Sequence, residues 1–406
     1  VAPEPVAIDR KNAIAIAAAA LATSIAVFLI ALSIPSFAKI SDLPQYYAAA
    51  DLLLHGHGSS IWLLDNMAHT QHELFPALAE RIIPSYLPPV AVIYLLPLAA
   101  APIAWLPVLW PCLLLAFVVA GLLVLKKCFA LTNKQTLWVW AVVSISGPLF
   151  ESIRIGQLAP ILFLAFSLAL AAIKRDRPWL AAICLSVLFF KPQELLPFVV
   201  YLLGARRYKF IGCLLVIAGV MAVLSFLLVG VSGWQNYFLL LSNSITNSVW
   251  MQPELCPTLR GQLLRLPLST NVGNVISLFA LLICLTAIFI IGHKAGTKPH
   301  WLEAGLIGAM PLGLAFTLHM HDYDLLLLIP SAVAMIKTQL ISRLPSWLTL
   351  LSMFAFLVFL LPFYVYIHYD YLLKAGMINP LFLVLVVCSI GLAVLSNSKK
   401  TLETSP

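Results

Sequence analysis

From residue 13 to residue 396 the chain is a succession of long apolar runs separated by short polar connections, and this pattern constrains it more than any motif does. Runs near 20 residues match the thickness of a lipid bilayer crossed by a helix. Only 10% of the 406 residues are charged, against about 25% in soluble domains, which is too few to cover a water-exposed exterior. The expected architecture is an all-α polytopic membrane protein forming one domain over residues 1–406. Disordered, collagen-like and disulfide-scaffold classes are excluded on the same grounds. The net charge of +8 does not indicate nucleic acid, because no basic stripe interleaved with aromatics accompanies it.

The runs fall at 13–34, 86–101, 103–125, 136–150, 158–173, 178–190, 193–205, 210–229, 272–292, 301–318, 323–336, 345–364 and 378–396. The first follows Arg10 and Lys11 and precedes Ser36-Phe37-Ala38, but it is much longer than a signal-peptide core of about 7–15 residues, so it reads as a retained anchor. The run 86–101 contains Pro88, Pro89 and Pro97 and reads as re-entrant or interfacial, leaving about twelve transmembrane helices. Lysine and arginine collect on the cytoplasmic side of membrane proteins. With twelve crossings, Arg10, Lys11, Lys126, Lys127, Lys174, Arg175, Arg206, Arg207, Lys399 and Lys400 all lie on one face together with both termini. The sequence therefore predicts cytoplasmic N- and C-termini. It also predicts an outer face made of a first loop at 35–102 with interfacial helices, tight turns at 151–157, 190–194 and 319–322, a second long loop at 230–271, and a loop at 365–377. No nucleotide-binding glycine loop interrupts the inner connections. Of the seven cysteines only Cys256 lies in a long polar loop, so no structural disulfide is expected.

Polar chemistry concentrates on that outer face. Asp42 opens a short surface helix with Pro44 in its first turn, and reads either as an N-cap or as a carboxylate general base at the water–lipid boundary. Glu151 and Arg154 in one turn read as a local ion pair or as an anion-binding cation. Lys191 sits between two short apolar helices on the face that topology keeps poor in lysine, which points to an anionic partner such as a phosphate, with snorkelling to headgroups as the alternative. Arg260, with Arg265 behind it, supplies a second cation, while Trp234, Tyr237 and Trp250 fit interface aromatics. His319, His321 and Asp322 form the densest polar cluster. Two histidines at i and i+2 without a distant third ligand are a weak metal signature, and hydrogen bonding to a sugar or phosphate fits them better; no metal is expected. Asp324 reads as the cap of the following helix.

Several stretches recur in the order of a known family. Asp42, Tyr46 and Ala48-Ala49, continuing to Leu53-Leu54-His55-Gly56, resemble the opening motif of glycosyltransferase family 87 in the GT-C superfamily. Tyr86-Leu87-Pro88-Pro89, Gly156-Gln157, Lys191-Pro192, Leu259-Arg260-Gly261 and His319 to Asp324 agree with the same family across most of the chain. The chain departs from it at Thr317-Leu318, where Ser-Pro is common, and near Ala159, where an asparagine is common.

The resemblance implies a GT-C fold, a polyprenyl-phosphate-sugar donor, a lipid or glycan acceptor, an active site outside the cytoplasm in the plasma (inner) membrane, and no cofactor. Asp42 is then the base. Lys191, Arg260 and Arg154 bind the donor phosphate, and His319, His321, Gln157, Tyr46 and Tyr86 contact substrate. The group includes mannosyltransferases of phosphatidylinositol mannoside synthesis, which makes mannose the expected sugar. The competing reading is a polytopic transporter or lipid-linked glycan flippase, whose polar groups gather near the bilayer midplane rather than at one face.

Overall fold

A computed structural model describes residues 41–78, 81–144, 146–246 and 256–337. The runs expected at 13–34, 345–364 and 378–396, and the loop at 365–377, lie outside the described residues. Among those described there are helices and no strand. In chain order the main helices are α1 (Leu43–Leu54), α2 (Leu64–Leu74), α3 (Leu106–Cys128), α4 (Asn133–Ser144), α5 (Gly147–Arg154), α6 (Ala159–Lys174) and α7 (Pro178–Ser186). They continue as α8 (Pro192–Gly204), α9 (Tyr208–Thr246), α10 (Leu259–Arg265), α11 (Thr270–Ala295), α12 (Trp301–Phe316) and α13 (Ile329–Lys337).

Among the described residues, three spans are long and apolar enough to cross a membrane, at Ile103–Cys128, Tyr208–Ser244 and Thr270–Ala295. Joining α4 and α5, which bend by 55° at Ser146, gives up to four. Shorter apolar helices lie at Ala159–Lys174, Pro178–Phe190 and Trp301–Phe316; the first and last are mostly buried, while the second exposes Trp179, Leu180 and Ile183. The long spans carry the outward-facing apolar side chains: Leu215, Val223 and Leu227 on α9, and Phe279, Leu282 and Ile283 on α11, are all exposed. A row of exposed Leu, Val and Phe is costly in water and costless in lipid, so these faces mark a membrane protein.

The proline-rich run expected to be re-entrant or interfacial is a broken helix. Residues 89–99 fold as one α-helical turn (Pro89–Val92), a 3-10 turn (Ile93–Leu95) and a second α-helical turn (Leu96–Ala99), too short for a straight crossing. This piece packs against α1 and α9. One boundary differs from expectation. The stretch expected as outer loop from residue 230 continues as helix to Thr246, after a kink at Gly230, whose φ of 67° a side chain would resist. The same sequence between 231 and 246 that reads as interface aromatics is a helical extension whose Trp234 stacks on Phe226 at 5.1 Å.

Helix polarity defines two ends. The end of α6 bearing Lys174 meets the start of α12, where the Lys174 ammonium lies 2.7 Å from the Glu303 carboxylate. The opposite ends of those helices, Ala159 and Phe316, adjoin the polar segments holding Gln157 and His319. At about 1.5 Å per residue, α6 separates the two polar layers by roughly 24 Å.

Between them α8 and α11 cross closely through small residues. A Cβ on Gly204 would overlap the Phe289 carbonyl oxygen, one on Gly292 the Tyr201 carbonyl oxygen, and one on Gly296 would stand 2.8 Å from Ala205 backbone. Membrane helices associate through such contacts because lipid tails supply no hydrophobic drive between them. Gly204→Ala is accordingly expected to destabilise the protein by about 1–3 kcal/mol, seen as a lower thermal midpoint in detergent. An unchanged midpoint would show that the helices part at no cost.

Candidate active site

The local fold explains why Asp42 does not cap α1. An N-cap carboxylate accepts from the N–H of N2 or N3. Here N2 is Pro44, which has none, and the Gln45 N–H is taken by the backbone carbonyl of Asp42 at 3.2 Å. The capping reading is thereby corrected: the side chain makes no cap bond and turns to long-range partners. Asp42 itself is anchored by its N–H, which donates to the Ile155 carbonyl at 2.7 Å.

Gly156 supplies the other half of the contact. It ends α5 with φ of 69°, and the Gln157 N–H closes back on Ser152 at 2.8 Å. Only a residue tolerant of the left-handed region makes this helix end without strain, and it aims the next side chain, Gln157, at α1. The Gln157 amide donates to Asp42 Oδ2. Its own oxygen accepts from the Tyr46 hydroxyl at 3.2 Å, which holds the amide with its N–H toward the carboxylate. Trp110 donates to the Gly156 carbonyl at 2.9 Å and braces the turn from α3.

Arg81 completes this half of the site, 3.7 Å from Asp42 Oδ1. Burial pushes the Asp42 carboxyl up to about 6, against Arg81, Lys191 and the Gln157 hydrogen bond, which pull it down. A base with that affinity is ionised near neutrality yet accepts a proton readily.

The second half comes from the start of α8 and the segment after α12. Lys191 Nζ lies 2.5 Å from Asp324 Oδ1, 3.7 Å from Glu194 Oε1 and 4.6 Å from the centre of the Tyr323 ring. Burial works against this ammonium, but Asp324, Glu194 and Asp42 outweigh it and hold its pKa above the ordinary lysine value. Asp324 is not the cap expected of it: the 3-10 turn Asp322–Leu328 has His321 at its cap and Asp324 at its third position, where the carboxylate accepts the His321 N–H at 3.1 Å and so serves both the turn and the lysine.

His319 and His321 meet edge to face at 4.7 Å, and His321 stacks on Tyr323 at 5.2 Å. Burial and the Lys191 charge keep His319 neutral, its pKa lowered to about 4, and His321 lies well below its usual value for related reasons. Gln193 donates to the His319 carbonyl at 3.4 Å. Arg260 donates to Asn274 at 2.8 Å and to the Leu318 carbonyl at 3.3 Å, which sets its charge beside His319.

The Lys191 charge acts on Asp42, His319 and His321 alike, so these parts of the chain converge on one site. Two expected residues are not drawn to its carboxylate. Arg154 forms the local pair with Glu151, Nη2 to Oε2 at 2.8 Å, and Tyr86 stands beside Ser244. No hydrogen bond or ion pair among the described residues joins either to Asp42. Sequence reasoning missed Arg81 and Glu194. Arg81 is one cation in a long loop, and Glu194 stands where an apolar helix begins; neither carries a local signal.

The site sets a carboxylate, Asp42, beside the partly exposed cations Arg81 and Lys191 in an all-helical membrane protein. Residues 86–318 match the model for Glycosyltransferase family 87, more than half of the 406 residues. The chain therefore belongs to glycosyltransferase family 87 and is a membrane glycosyltransferase, with a sugar donor and an acceptor as its substrates. The matched stretch includes Gln157, Lys191 and Arg260, while Asp42, Tyr46, His319 and His321 flank it. No curated protein and no solved structure matches the chain.

Proposed function

We propose that the protein moves a hexose, with mannose as the first choice, from a polyprenyl-phosphate donor to a hydroxyl of a lipid or glycan acceptor on the extracytoplasmic face of the plasma membrane. The observation that carries this reading is the single electrostatic cluster in which Asp42 stands within the field of the buried Lys191. As the acceptor oxygen bonds to the anomeric carbon, its proton passes to Asp42. The bond from that carbon to the phosphate oxygen breaks, and the electron pair leaves with the phosphate. Negative charge grows on the departing group, where Lys191 and Arg260 offset it in a partly dry site. Attack opposite the leaving group inverts the anomeric centre. His319 and His321 orient the donor by hydrogen bonds, and Tyr46 and Gln157 hold the base. Arg154 and Tyr86 are left as outer contacts for the substrate chains. Basic clusters such as Arg206 and Arg207 support cytoplasmic termini and an outward-facing site.

The decisive assay incubates purified protein in liposomes with a panel of polyprenyl-phosphate sugars, sugar nucleotides and lipid extracts. Transfer from the polyprenyl phosphates alone is the expected result; transfer from a sugar nucleotide alone would overturn the donor assignment.

The Asp42 environment also fixes the pH response. The base must be ionised, so the transfer rate should be level above about 6 and fall below it by about tenfold per pH unit. In Gln157→Leu the loss of a hydrogen bond that favours the ionised form should move this midpoint upward. A midpoint unmoved in that variant would detach the profile from Asp42.

A further inference from the structure

The two histidines after α12 acquire, in the folded chain, the distant third ligand that their spacing alone lacks. Cys256 Sγ lies 3.5 Å from His319 Nδ1, and one ligand atom from each of Cys256, His319 and His321 falls within 4.8 Å of the others. We propose that Cys256, His319 and His321 form a binding site for one zinc ion, with its remaining coordination position open to water or to an anionic oxygen of a ligand.

The donor set argues for zinc. One thiolate with two imidazoles suits a borderline-soft cation and is wrong for Mg2+ or Ca2+, which take oxygen ligands. The spacing argues the same way. Bonds of about 2.3 Å to sulfur and 2.1 Å to nitrogen, at a tetrahedral angle, separate the two ligand atoms by about 3.6 Å. That is the separation already present between Cys256 and His319.

The local fold makes this possible. Residues 317–321 form no helix, and bends at Leu318 and His319 bring two side chains at i and i+2 onto one side instead of opposite sides. Thr258 then caps α10 through the Gly261 N–H at 3.3 Å, so Cys256 enters the cluster just before a fixed helix start. Cys256 is buried while both histidines keep some exposure, which leaves a route for an ion. Among charged neighbours, Lys191 and Arg260 oppose a cation, and Asp322 and Asp324 offset them. One adjustment is required. A His321 ring nitrogen accepts the Asp324 N–H, and the ring gives up that bond when it turns to the ion. The inference shares His319 and His321 with the transfer chemistry proposed above: an ion held by their ring nitrogens would take the place of their hydrogen bonds to the donor, and the test below reads the ion without reference to transfer.

The test uses the full chain, purified in detergent with any affinity tag removed and stripped with a chelator. Cobalt(II) is titrated as the probe while near-ultraviolet and visible absorption are recorded, and zinc(II) is then added in competition. The expected result is a thiolate-to-cobalt charge-transfer band that saturates at one ion per chain and is erased by zinc. Exposed histidines such as His55, His57 and His69 cannot give this band, because it requires sulfur. Cys256→Ser should abolish the band, and His319→Ala and His321→Ala should each weaken cobalt binding by at least about tenfold. Absence of the band in folded wild-type protein under excess cobalt would overturn the proposal without reference to any variant. Its persistence in Cys256→Ser would overturn it as well.

Discussion

Asp42→Asn is expected to lower the rate of sugar transfer by about 10²–10⁴-fold while donor affinity stays within a few-fold of wild type. Asparagine keeps the volume of the side chain and a carbonyl oxygen for the Gln157 amide, so the Tyr46–Gln157–residue 42 chain of hydrogen bonds survives. What disappears is the ability to take a proton. The partner left behind is Arg81, whose side chain is 40% exposed and therefore loses little when its ion pair is removed. The thermal midpoint should barely change for the same reason. Product formation, followed by mass of the glycosylated acceptor at saturating donor, checks the first claim, and donor titration checks the second. Wild-type turnover in the variant would remove Asp42 as the base and with it the inverting scheme.

How much of this was readable beforehand depends on the range of each interaction. Helices announce themselves locally, through apolar length and proline at their first turns, and so the start of α1 at Leu43, the broken segment at 89–99 and the turn at Lys191 all follow from short windows of sequence. The direction of a side chain does not. Asp42 occupies the expected capping position, yet its contacts lie in the turn that follows α5 and in the loop at Arg81, and the proline that announces the helix is what frees the carboxylate from capping it. Tyr46 and Gln157 are 111 residues apart, Lys191 and Asp324 are 133 apart, and no periodicity relates such positions. The Glu151–Arg154 pair was legible as a local contact because it is one. Helix α9 was underestimated for a different reason. Gly230 and Gly233, with Trp234 and Tyr237 beyond them, carry the composition of a membrane-interface loop, yet the helix resumes and these rings pack on Phe226, Trp62 and Phe238.

Lys191→Met is expected to remove transfer and to destabilise the fold, and the two effects can be separated. The ammonium is 15% exposed and faces Asp324, which is 1% exposed, and Glu194, which is fully buried. Removing the cation strands a buried carboxylate, a change that costs about 3–5 kcal/mol. Loss of activity in the single variant would therefore say little by itself. Adding Asp324→Asn neutralises the nearer of the two carboxylates, 2.5 Å from the ammonium against 3.7 Å for Glu194, and still offers an oxygen to the His321 N–H, so the double variant should recover part of the lost stability. Transfer should remain down by about 10²–10³-fold in the double variant, because no preorganised cation is left at that point to meet the departing phosphate. Thermal melting and turnover measured on the wild type and both variants settle the matter. If stability and transfer return together in the double variant, Lys191 is only the counter-ion of Asp324, and the phosphate must be met by Arg260 alone.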